Sequence, residues 1–123
     1  MRYSLGRDRR LRKPSDFRYV RRQGRSWAGS LLVLQACSNG LNQSRFGISA
    51  GRRVGKAVVR NRVKRRLREL LRTTPLKEGL DIVVIARVPS SQATFQDLNI
   101  GLTRLMFEAN VVVDPESTEE RRS

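Results

Sequence analysis

The chain has 123 residues, enough for one domain with a single modest core. It carries 26 Lys or Arg against 11 Asp or Glu, a net charge of +15, yet 38% of its residues are hydrophobic, so composition alone does not make it disordered. Such a cation excess repels itself in a compact state and calls for a polyanion, nucleic acid before an anionic membrane.

There is no histidine, and the single cysteine, Cys37, sits in an apolar run. That excludes an internal disulfide framework and reads as a small core residue in an intracellular protein. The charged N-terminus lacks a following apolar region, and no run approaches the ~20 residues of a membrane span. A soluble, cytoplasmic protein is expected. The cations are clustered, with ten in residues 1–25, ten in residues 52–72 and six elsewhere. The two clusters are expected to converge on one surface or flank one groove.

Residues 1–13 are basic without a helical or strand period, and read as an irregular arm. Pro14-Ser15-Asp16 opens a short helix, with proline in the first turn and an acid at the positive end of the dipole. Phe17 and Val20 share its apolar face, and Gly24 stops it. Residues 30–37 are apolar on both faces, as in a buried strand. Asn39-Gly40 is a hairpin signal and makes residues 44–50 the expected partner strand. Alternation there puts Phe46, Ile48 and Ala50 on the core face. Arg45, Gly47 and Ser49 lie on the other, a small, polar and cationic face open to a ligand backbone.

From Ala57 the period becomes helical, with Val59, Val63, Leu67, Leu70 and Leu71 in one stripe. Asn61, Arg65, Arg68 and Arg72 form the opposite ridge, and Arg60 and Arg62 flank the stripe. Thr73-Thr74-Pro75 ends the helix. Residues 80–87 are a continuous apolar, β-branched run, a central strand covered on both faces. Thr94 and Asp97 have capping-box spacing before a last amphipathic helix whose Met106 and Phe107 read as core. The single domain is expected over residues 14–112, with a polar, disordered tail over 113–123. This order is an α+β sandwich whose strands 44–50 and 80–87 are suited to parallel pairing.

No catalytic or metal-ligating group is expected. Glu69 is mid-helix, Asp81 opens a strand, Asp97 is a cap, and Glu116, Glu119 and Glu120 lie in the tail. None has the spacing of a two-metal site, and no histidine, cysteine pair or phosphate loop is present. The basic helix is different. Its arginines can meet phosphates bidentately, and Arg60, Asn61 and Arg62 add side-chain polarity to the positive helix end. Such contacts position nucleic acid but read little sequence.

GKAVVRNRVKRRLRE at 55–69, RLRKPSDF at 10–17, RFGISAGRRVG at 45–55 and VIARVPSS at 84–91 together resemble the bacterial ribonuclease P protein component. The resemblance covers about residues 9–110. It implies helices on a mostly antiparallel four-stranded sheet, of the ribosomal-protein S5 domain 2-like type, with a left-handed strand–helix–strand crossover where the general rule is right-handed. It also implies partners: the catalytic ribonuclease P RNA and precursor tRNA, with no membrane and no obligate protein partner. Mg2+ and the hydrolysis of the 5′ leader would belong to the RNA. Arg52, Arg53, Lys56, Arg60, Asn61, Arg62, Lys64, Arg65 and Arg68 would face that RNA. Phe17, Arg21, Leu32, Gln35, Arg45 and Ser49 would line a cleft for the single-stranded leader. Relatives often carry further aromatics in the cleft, where this chain has Arg21, Leu32 and Gln35, so electrostatic or aliphatic contact would replace stacking. A ribosomal protein or RNA chaperone would share the charge and even the fold, but not the ordered motif set.

Overall fold

The computed structural model describes residues 10–113. The basic arm up to residue 9 and the polar tail from residue 114 therefore lie outside the described residues. Helix α1 (Pro14–Gln23) leads into strands β1 (Arg25–Ala28), β2 (Leu32–Ser38) and β3 (Arg45–Ala50). Helix α2 (Ala57–Arg72), strand β4 (Leu80–Ala86) and helix α3 (Phe95–Ala109) follow, with short 3₁₀ segments at Arg52–Val54 and Val88–Gln92.

One mixed sheet in the order β1-β2-β4-β3 forms the middle layer. The β1/β2 and β2/β4 pairs are antiparallel, and β3/β4 is parallel. The β2–β3 hairpin expected from Asn39-Gly40 does not form. Gly40 does turn the chain with φ 73°, but residues 39–44 carry it past the start of β4, where the Asn39 amide donates to the Gly79 carbonyl at 2.9 Å. The reason lies in β4. Asp81, Ile82, Val83, Val84 and Ala86 are all buried, and a strand apolar on both faces belongs inside a sheet rather than at its edge. It takes the place beside β2 that local sequence assigned to β3.

The pleat divides the core in two. Leu32, Leu34, Ala36, Phe46, Ile82, Val84 and Ala86 face α2 and α3. Val83 faces the α1 side, together with Leu11 and Val20 and the half-buried Phe17, Cys37 and Ile85. Leu11, in the segment read as an arm, is only 5% exposed, and its backbone N–H donates a hydrogen bond to the Phe46 carbonyl. From α2 only Val63, Leu67 and Leu71 are fully buried; Val59 and Leu70 sit at the margins. The α3 capping box is present, with the Asp97 amide donating to Thr94 Oγ1 and the Thr94 amide to Asp97 Oδ2, both at 3.0 Å. Leu98, Leu102, Leu105 and Met106 fill the core. Phe107, expected there, is 78% exposed, because the next position round the helix from Met106 already turns outward.

Leu67 is fully buried between α2 and the sheet. Leu67→Ala is expected to lower the unfolding free energy by ~2–5 kcal/mol, read from urea denaturation.

Candidate nucleic-acid interface

Parallel pairing of β3 with β4 brings the carboxyl ends of both strands to the same end of the sheet, and a 3₁₀ segment leaves each. Arg52 and Arg53 are exposed on the first, whose Val54 plugs the core at 5% exposure. Gly55 has φ 153°, where L side chains are strained, and a Cβ there would lie 3.0 Å from Val59. Lys56 then precedes α2 without a side-chain cap, so first-turn amides are left open beside exposed Lys56 and Asn61.

Along α2 the cations divide by helical position. Arg65 and Asn61 are exposed on the outer ridge, while Arg60, Arg62, Lys64 and Arg68 are half-buried on its flanks. Arg62 is not wholly free for a ligand. Its Nη2 donates to the Ser91 carbonyl at 3.3 Å, and Arg66 Nη1 donates to the Ala93 carbonyl at the same distance. These two arginines tie α2 to the segment after β4. On the other flank, Arg60 Nε and Arg68 Nε are buried without a hydrogen bond. Burial, reinforced by Arg10, pushes the Arg68 pKa below its ordinary value.

A cleft of about 400 Å³ opens between α1 and the sheet. Pro14, Phe17, Arg18 and Arg21 form one wall, Ile48, Ser49, Ala50 and Lys64 the other, and Gln35, Val83 and Ile85 the floor. The two cationic segments thus flank one groove. Phe17 packs against Gly47, where a Cβ would come within 2.5 Å of its ring. Gln35 Nε2 donates to Ser26 Oγ on the neighbouring strand at 3.1 Å, which fixes its carboxamide on the floor.

Phe17, Arg21, Gln35 and Ser49 therefore come together, whereas two expected cleft residues do not. Leu32 is 1% exposed and belongs to the core against α2 and α3. It pairs with Ala86, and side-chain alternation puts it on the face opposite Gln35 and Ile85. Arg45 is on the correct face but is drawn to the other end of the strand. Its Nε and Nη2 donate to Asp81 at 3.0 and 2.7 Å, and that bonding raises its pKa further. Asp81 also accepts from Asn39 Nδ2 at 2.9 Å. Cys37 lies beside this pair; burial and then Asp81 push its thiol pKa up, which disfavours the reactive thiolate.

Sequence reasoning overlooked Arg18, Val83 and Ile85. Pro14, Arg18 and Arg21 have helical i, i+4, i+7 spacing, and Val83 and Ile85 alternate with the core residues of β4. Both signals were available.

A family model described as Ribonuclease P matches residues 5–110. The ribonuclease P protein component of Clostridium botulinum (strain Langeland) is 39% identical over 107 residues, covering 85% of this chain and 96% of that protein. That of Clostridioides difficile (strain 630) is 41% identical over 112 residues, covering 89% and 98%. Among solved structures, the Staphylococcus aureus RNase P protein superimposes with a TM-score of 0.79 at 31% identity, covering 87% of this chain and all of that one (100%). The Thermotoga maritima RNase P protein gives 0.71 at 35% identity, covering 78% and 93%.

Gly47→Ala is expected to displace Phe17 and destabilise the fold by about 1–3 kcal/mol, as over-packing does. Urea denaturation measures it; a loss near zero would mean that Phe17 does not rest on the strand.

Proposed function

This chain belongs to the bacterial ribonuclease P protein family, and from that premise we propose that it is the protein subunit of the endoribonuclease that matures the 5′ end of tRNA in the cytoplasm. The observation that carries the proposal is the cleft between α1 and the sheet, where both basic segments meet beside Phe17. In this reading the cleft takes one extended strand, the 5′ leader of precursor tRNA. Arg18, Arg21 and Lys64 would neutralise leader phosphates, while Phe17, Val83 and Ile85 offer apolar contact to bases. The outer surface, with Arg52, Arg53, Lys56, Arg60, Asn61, Lys64, Arg65 and Arg68, would face the catalytic RNA. Arg62 joins that surface while also bracing the Ser91 segment.

The chain's work in this reading is to bind and align. Among the described residues, Asp81 is engaged by Arg45 and Asn39, Asp97 caps α3, Glu69 pairs with Arg72 at 2.7 Å and Glu108 with Arg104 at 3.4 Å. No three His, Cys, Asp or Glu side chains among them are grouped to hold a metal ion. Magnesium, held mainly by the RNA, supplies charge neutralisation and water activation for hydrolysis. The protein lowers the magnesium requirement by adding fixed positive charge where two RNAs approach each other.

Two experiments test this. The protein should restore correct 5′ cleavage by a bacterial ribonuclease P RNA at magnesium too low for the RNA alone, and cleave nothing by itself. No rescue despite tight RNA binding would make it a general RNA-binding protein. Second, Arg65→Ala should reduce the salt dependence of RNA-subunit affinity by about 0.7–0.9 in log–log slope, one phosphate contact. Arg104→Ala, on α3, should leave it unchanged; equal effects would move the RNA face.

A further inference from the structure

The outer face of α3 differs from the basic surfaces. The helix carries one cation, Arg104, against two acids, Asp97 and Glu108, whereas α2 carries seven cations against one acid. Ile100 and Phe107 are seven residues apart and so lie on one line of the helix, opposite the buried Leu98, Leu102 and Leu105. They are 60% and 78% exposed. Beside that line a groove of about 560 Å³ opens between α3, the β1–β2 turn and the Val88–Gln92 segment, with Leu31, Asp97, Ile100, Gly101 and Arg104 in its lining. An exposed apolar stripe with little net charge suits a protein contact better than a polyanion. We propose that this face is an interface between two copies of this chain, α3 packing antiparallel on α3 about a two-fold axis between Ile100 and Gly101.

Gly101 is the first support. Glycine inside a helix costs stability relative to alanine, and packing within the chain does not call for it. Outside its own stretch of helix, a Cβ at Gly101 would meet nothing nearer than Leu31 Cδ1, at 4.0 Å. The missing side chain lets a second helix backbone come close instead.

Charge complementarity sets the direction and register. Asp97 and Arg104 lie on one side of α3 at equal distances before and after the proposed axis. Antiparallel packing about it therefore sets Asp97 of each copy against Arg104 of the other, in two equivalent ion pairs, whereas parallel packing in register sets like against like. Within one chain Arg104 meets Glu108 at 3.4 Å, with the side chains 79% and 48% exposed, a solvated pair that is easily exchanged. Asp97 gives Oδ2 to the Thr94 amide and keeps lone pairs for a guanidinium. The Ile100 side chains of the two copies meet at the axis, and each Arg104 stem crosses the mouth of the opposite groove. This pairing is separate from the RNA-binding reading and does not depend on it.

Sedimentation equilibrium of the full chain over a concentration series, at ~0.15 M salt to screen the net charge, tests the interface. A reversible monomer–dimer equilibrium is expected, weakened about tenfold or more by Ile100→Glu and by Arg104→Glu. The second variant is decisive in sign. It takes the net charge from +15 to +13, so association governed by overall repulsion would tighten, whereas a specific Asp97–Arg104 pairing must loosen. Oxidative crosslinking reads the register, with the native chain as the control for Cys37. Ile100→Cys should link to its own copy across the axis. Phe107→Cys, equally exposed but ~20 Å from its own copy at ~1.5 Å of rise per residue, should not. A chain that stays monomeric throughout, an Arg104→Glu variant that associates as tightly as the native chain, or equal crosslinking at both positions would overturn the proposal.

Discussion

Asp81 is 2% exposed at the head of β4, and the hydrogen bonds it accepts come from segments that must be held against that strand. Arg45 comes from the parallel neighbour β3, and Asn39 from the connection that crosses between β2 and β3. Ser44 adds a second tie, accepting from the Leu80 amide at 2.9 Å and donating to the Lys77 carbonyl. A buried ion pair adds little net stability, since desolvation offsets the attraction, but a register that leaves it unpaired is heavily penalised. A slip by one residue would also turn every β3 side chain to the other face. The pair therefore specifies which face of the edge strand meets α1. Gly47 and Ser49 share that face, so the bed of Phe17 and the wall of the cleft depend on it.

With β3 held parallel to β4, α2 must cross between them and bury Val63, Leu67 and Leu71 against the sheet. Its cations then have three outlooks: Arg62 and Arg66 toward the segment after β4, Arg65 outward, and Lys64 and Arg68 toward α1. The helix is thus a wall shared by two surfaces rather than a single charged rod. Lys64 lines the cleft, and Arg68 lines a smaller groove between residues 10–12 and α2, which places cationic charge on both sides of Phe17.

The helices were legible because each carries a complete local message. The α2 stripe keeps its period over four turns, and the α3 start is written in Thr94 and Asp97. The centrality of β4 was legible from its unbroken apolar run. Pairing partners were not, because β2 meets β4 across more than forty residues while Asn39-Gly40 signals only a turn. Strand β1 was missed because its four residues, RSWA, show no apolar alternation; pairing with β2 and the packing of Trp27 on the core make it a strand. Leu32 was misplaced by the parity of β2, which only the register fixes. The diversion of Arg45 to Asp81 and of Arg62 to Ser91 depends on contacts between residues 36 and 29 positions apart, beyond any local pattern.

The central claim is that one small domain offers different RNAs to its two basic faces. A photo-crosslinking side chain carried at position 21, on the cleft wall, or at position 65, on the outer ridge, tests it directly in the assembled holoenzyme with precursor tRNA. The account expects the probe at 21 to attach to the 5′ leader and the probe at 65 to the catalytic RNA. Attachment of both probes to the same RNA, or the reverse assignment, would contradict it.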